Sequence, residues 1–169
     1  MSNLLEAAFG HHEWATTRMI EACSQLPEDD LAFEAPGTRG SILSTLRHLV
    51  VSDSFDLYFL TNDAMFAFEE EDLSWNELRD VAEMNGAGWR RYLERDLDPD
   101  EAVLEIDPND GFQRTAPIGF RLAGALQHGS DHRSQLCTAL TLVGSTPPSM
   151  DVSDFGVATG RITEIMPNA

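Results

Sequence analysis

The chain has 169 residues, 42% hydrophobic and 24% charged, with a net charge of -18. That length and mix suit a single domain over residues 1–169 with a sizeable core, and the negative surface disfavours nucleic acid and anionic membrane as partners. All 11 basic residues are arginine, which fits an arginine-biased genome or a salt-rich habitat and names no function.

The first helical pattern starts near Ser2, a candidate cap, and carries Leu4, Leu5, Ala8, His12, Ala15, Met19, Ala22 and Leu26 until Pro27 ends it. Residues 28–40 read as a loop, with Pro36, Gly37 and Gly40. A second helix is predicted from Ser41 to Leu60 on the stripe Ile42, Leu46, Leu49, Val50, Asp53 and Leu57. The acidic stretch 61–73, with Glu69-Glu-Glu-Asp72, reads as a solvated crossover. Ser74-Trp-Asn-Glu77 has the form of a capping box and opens a third helix to Leu97, where Gly86 and Gly88 signal close packing or a kink. Val103–Ile106 and Phe112–Thr115 flank an Asn-Asp-Gly turn and predict a small hairpin. A fourth helix should begin at Pro117 and stop at Gly144, after which a tail wraps the helices. The predicted fold is all-α: a four-helix bundle with long crossovers and a small β-hairpin before the last long helix.

Cys23 and Cys137 lie apart on apolar helical patterns and read as buried thiols, as in a reducing compartment. No basic-then-apolar leader is visible, and no apolar run nears the ~20 residues a bilayer requires, so the expected location is the cytoplasm.

His128 and His132 stand four residues apart, which on a helix puts both imidazoles on one face, about 6 Å apart along the axis. The fourth-helix stripe passes through His132, with His128 at its edge and Gly124, Ala125 and Gly129 leaving room above the backbone. Spacing alone leaves two readings open, metal ligation and hydrogen-bonded core packing. His48 borders the apolar face of the second helix and by itself reads as structural. If helices two and four pack together, the three rings converge on a site of three neutral nitrogens with an open position, suited to zinc, nickel, iron or copper. Asp131 and Gln135 are near enough to orient imidazole N–H groups, or are simply surface polar residues. His11 reads as solvent-facing, and His12 shares a face with Ala8, Ala15 and Met19. No Glu-x-x-His, Gly-x-Ser-x-Gly or phosphate-binding glycine loop occurs.

Four segments together resemble the DinB/YfiT-like metalloenzyme superfamily of helical bundles: His12-Glu-Trp-Ala-Thr-Thr-Arg-Met19, Leu46-Arg-His-Leu49, His128-Gly-Ser-Asp-His-Arg-Ser-Gln135 and Thr146-Pro-Pro-Ser-Met-Asp151. The resemblance implies that His48, His128 and His132 bind one divalent metal, and that the protein forms a homodimer. It also implies a low-molecular-weight thiol as cosubstrate for a transferase acting on a small electrophilic substrate. Mycothiol is a candidate thiol given the arginine-only composition. His12 departs from the family, which commonly has asparagine there; it is a fourth ligand or a pocket residue. No strong protein nucleophile is evident, so a metal-activated water or thiol is expected to serve. The competing expectations are a metal-dependent hydrolase and a non-catalytic, stress-related metal-binding protein.

Overall fold

The computed structural model describes residues 4–70, 73–106 and 111–165. The Ser2 cap, the end of the acidic run and most of the Asn-Asp-Gly turn lie outside the described residues. The chain is mostly helical, in the order α1 (Leu4–Cys23), α2 (Glu28–Leu31), α3 (Ile42–Thr61), α4 (Trp75–Leu93), β1 (Ala102–Ile106), β2 (Gln113–Pro117), α5 (Ile118–Leu142) and α6 (Val152–Ala158), with one 3-10 turn at Ala64–Phe66. The strands pair antiparallel, with Leu104 opposite Thr115. No helix among the described residues is long and apolar enough to cross a membrane.

Local chemistry sets most boundaries. Ser41 caps α3 by accepting the Ser44 N–H, and Asn62 closes it in the left-handed region. The Glu77 carboxylate takes the Ser74 N–H at 2.8 Å, which opens α4 where the capping box predicts. Gly144 ends α5 with φ of 81°, open to glycine without strain. The first free N–H groups of α5 are satisfied from the segment before β1: Ile118 donates to the Glu101 carbonyl and Gly119 to that of Pro99, both at 2.8 Å. That tie draws residues 94–101 away from α4, so α4 stops at Leu93 rather than Leu97. Two further expectations need correction. Residues 28–40 are not purely loop, since they hold α2 and a bridge between Glu34 and Ser41. The tail contains α6, capped by Asp151.

The four long helices do not pack in sequence order. α1 lies against α4 and α5, and α3 lies against the same two helices. Side-chain pairs give the directions. Glu13 meets Arg90 and Glu21 meets Arg79, so α1 and α4 are antiparallel. Ser54 meets Asn85 while Arg47 reaches Leu73, so α3 and α4 are parallel. A parallel pair joined by a short segment forces the connection to run back along α3, and its residues 62–70 bring Glu70 beside His48. Gly86 and Gly88 mark close packing, not a kink: a Cβ on Gly86 would sit 2.2 Å from Glu13, and one on Gly88 would sit 2.7 Å from Phe66.

The core is divided. One apolar cluster gathers Met19, Leu46, Leu49, Leu78, Leu136 and Leu140. The other gathers Phe9, Leu57, Phe66, Trp89 and Leu122. Between these stretches every long helix contributes buried polar side chains: His12 and Thr16 from α1, Asp53 and Ser54 from α3, Asn85 from α4 and Arg133 from α5. Cys23 is fully buried in the first cluster, where desolvation pushes its thiol up to about 12, and both cysteines are free.

Candidate metal centre

α3 and α5 carry the three histidines to one point. Ligand nitrogens of His48, His128 and His132 all lie within 4.8 Å of one another, so the three could hold one metal ion. His128 and His132 lie one turn apart, with ring centroids at 4.4 Å, and His48 faces both from the antiparallel helix, at 4.9 and 4.8 Å. The Nε2 atoms of His48 and His128 are 3.1 Å apart. Two nitrogens on one zinc-sized ion are separated by roughly 2.9–3.3 Å for angles between square and tetrahedral, so the observed spacing fits a shared cation.

Two of the rings are held from behind. His48 Nδ1–H donates to Glu70 Oε1 at 2.6 Å, and His132 Nδ1–H donates to Gln135 Oε1 at 3.1 Å. These contacts fix the tautomer that leaves Nε2 with a free lone pair, the arrangement metal-binding histidines need. Arg39 joins the two supports: its guanidinium pairs with Glu70 at 3.1 Å, and its backbone N–H donates to the same Gln135 oxygen at 3.1 Å. Burial, then the neighbouring His132 and His48, push His128 down to about 4. Burial likewise lowers His132, against the opposing hydrogen bond to Gln135. Both rings are therefore neutral at neutral pH, the form that binds a cation.

The remaining expected residues sit elsewhere. Asp131 is exposed and accepts the Gln127 amide at 2.8 Å, one turn back along the helix surface. His12 has both nitrogens engaged: Nε2 with Asp53 at 2.8 Å, and Nδ1 with Arg133 Nη1 at 3.3 Å. In this arrangement it is a member of the polar layer, and neither nitrogen is offered to the three rings. Arg133 Nη1 also donates to Thr16 Oγ1 at 3.1 Å. Gly129 makes this possible, because a Cβ there would lie 2.2 Å from the His12 ring. His11 is not simply solvent-facing; its Nε2–H donates to the Met150 carbonyl at 2.8 Å and so ties down the tail.

Sequence reasoning missed Glu70 and Arg39 as supports of the metal centre, and Asp53 and Arg133 as partners in the polar layer. Asp53 carried a signal, a carboxylate on an apolar stripe, which a fold tolerates only with a partner. Glu70 carried none, because it sits in an acidic run that reads as solvated.

No curated protein matches the chain significantly. A family model, however, matches residues 1–164, nearly the whole length, and on that evidence the chain belongs to the DinB family.

Proposed function

We propose that this protein is a divalent-metal-dependent transferase that joins a low-molecular-weight thiol, of the mycothiol type, to a small electrophilic substrate. The observation that supports this reading is the convergence of three imidazoles, two of them fixed from behind by Glu70 and Gln135. Zinc and nickel suit such a nitrogen donor set. A divalent cation held by three ligands keeps a position open, and its charge lets a thiol or a water ionise near neutral pH. His48, His128 and His132 would hold the cation. Glu70, Arg39 and Gln135 would keep the donor nitrogens aimed at it. No cysteine competes as nucleophile, since burial raises both thiols.

The wider reading has four parts: one domain, a four-helix bundle made by α1, α3, α4 and α5, a cytoplasmic location, and a homodimer. Exposed Leu4, Val152 and Ile162 beside a groove of about 560 Å3 are the surface a second copy would cover. Sedimentation at several concentrations tests the dimer.

The deciding experiment measures turnover of electrophilic test substrates by zinc- or nickel-loaded protein. Mycothiol, bacillithiol, glutathione or no thiol is supplied. Metal- and thiol-dependent product formation is the expected result. Thiol-independent hydrolysis would make the protein a hydrolase instead. Stoichiometric metal with no turnover would leave a non-catalytic metal-binding protein.

A further inference from the structure

α5 has a second face, turned away from the three histidines. Leu126, Ser130 and Arg133 follow one another along it at helical spacing. They line a groove of about 560 Å3 whose other walls are α1 and α6, and that volume is in the range of small-molecule sites. α1 runs parallel to α5 along the groove. Phe9 shares a cluster with Leu122, His12 meets Arg133, and Met19 shares a cluster with Leu136. The groove therefore has an apolar end at Leu4, Ala8 and Leu126 and a polar end at Ser130 and Arg133.

Its charge is opposite to that of the chain. There are 29 acidic residues, yet none of those described lines the groove, whereas two of the 11 arginines and two of the five histidines do. Three of these four groups are occupied. His11 Nε2–H donates to the Met150 carbonyl, and both His12 nitrogens are engaged. At the rim, Arg161 stacks on Phe155 and has Glu6 at 3.8 Å.

Arg133 differs. It is 6% exposed and donates only through Nη1, to His12 and Thr16. Its Nε–H and Nη2–H have no partner among the described residues, yet they are not sealed. The buried side-chain nitrogens closed off without a partner are those of Trp89 and Arg121. The free edge of the guanidinium therefore opens on the groove that Arg133 lines. Asp53 is bonded to His12 and does not line the groove.

A desolvated N–H without an acceptor is unfavourable, and a ligand oxygen relieves it. Nε–H and Nη2–H lie side by side, the pair that matches the two oxygens of a carboxylate. We propose that the groove binds a small amphipathic carboxylic acid, its carboxylate on Nε–H and Nη2–H of Arg133 beside the Ser130 hydroxyl, and its apolar body along Ala8, Leu126 and Leu4. A neutral apolar molecule leaves the guanidinium edge unmet, and a short anion leaves the apolar walls uncovered. A dianionic phosphate head meets the net charge of -18 with twice the repulsion.

The site lies on the opposite face of α5 from the metal centre and does not depend on it. The probe is octanoate, titrated by NMR into the full chain at physiological ionic strength, with and without zinc. Octanol, acetate and octyl phosphate are the comparisons. Saturable shifts are expected in the first half of α1, the middle of α5 and α6, with each comparison at least about tenfold weaker. Ala8→Trp fills the groove from a half-buried position and keeps the fold; it should weaken octanoate at least about tenfold. Arg133→Lys keeps the charge without the paired edge and should do the same where it folds. His48→Ala should bind octanoate as the natural chain does, so loss of metal there tests the metal centre and loss of octanoate in Ala8→Trp tests the groove. Sedimentation should be unchanged by octanoate. The proposal is overturned by no saturable octanoate binding, by unchanged binding in Ala8→Trp, or by octanol or octyl phosphate binding as tightly. Octanoate that splits a dimer shows a second copy as the occupant and overturns it too.

Discussion

Two histidine-bearing regions lie within a few turns of each other on the same helices, and their chemistry differs. In the layer formed by His12, Asp53, Thr16 and Arg133, all four side chains are nearly inaccessible and both ring nitrogens of His12 have partners inside the protein. At His48, His128 and His132 the rings are half-buried, and two are satisfied only on the outward nitrogen. Their inward nitrogens meet only one another, as in the 3.1 Å contact between His48 and His128. Three ring nitrogens converging on one point suit a shared cation, whereas the side chains of the buried layer are paired with one another. A histidine is a candidate ligand when a lone pair is left over, and burial alone does not tell the two cases apart.

The sharpest way to break this comparison is to remove the carboxylate of the buried layer. Asp53→Ala leaves His12 without its partner and the Arg133 cation without the nearby negative charge that stabilises it. The expected loss is about 3–5 kcal/mol, the scale for stranding a buried charge, read from the urea midpoint. The folded fraction should keep its metal stoichiometry. If Asp53→Ala or His12→Ala loses metal while remaining as stable as the natural chain, the two regions are one site.

The converse substitutions come next. His48→Ala, His128→Ala and His132→Ala should each lower metal affinity about 100-fold, at or beyond the upper end of the range for losing an outer partner. Elemental analysis of the purified variants measures this. Their helical circular dichroism should persist, because the apolar clusters on both sides do not depend on these rings. Unchanged metal content in all three would remove the metal centre.

Glu70→Gln separates support from ligation. It keeps a group able to accept from His48 Nδ1–H but loses the charge that pairs with Arg39. Metal affinity should fall about 10-fold, the low end of the outer-partner range, with no change in stoichiometry. A competition titration against a chelator resolves it.

A separate effect concerns pH and belongs to neither histidine region. Asp56 is raised from 3.8 to about 7, chiefly by burial. Between those values the folded state holds a proton that the unfolded state releases. Its contribution to stability is therefore fully present near pH 4, falls as pH rises toward 7, and changes no further above that. Asp56→Asn lacks this titration, so its stability relative to the natural chain should rise from pH 4 to pH 7. A constant difference across that window would show that Asp56 is not raised.

Much of this was legible in local chemistry. Ser74 with Glu77, and Gly144, mark helix ends because their effects reach only one turn. His128 and His132 share a face by helical spacing alone. Gly129 looked like room over the helix, and the room turned out to be filled by the His12 ring. Other features left no local trace. Neither Glu70 nor Arg39 has any sequence relation to His48 or Gln135, and α6 sits in a tail without strong periodicity. The solvated reading of the acidic crossover failed at Glu70, since nothing in Glu69-Glu-Glu-Asp72 shows which carboxylate turns inward.

Taken by itself, the sequence determined the element types, most of their ends, the identity of the donor groups and the family resemblance, because each depends on residues within a few turns or on motif order. The tertiary structure alone decided that α3 faces α5 antiparallel, that α3 and α4 run parallel, and that the crossover between them must therefore pass His48. Those choices come from burying apolar faces over the whole chain. They separated His12, with no nitrogen to spare, from the three histidines whose nitrogens meet.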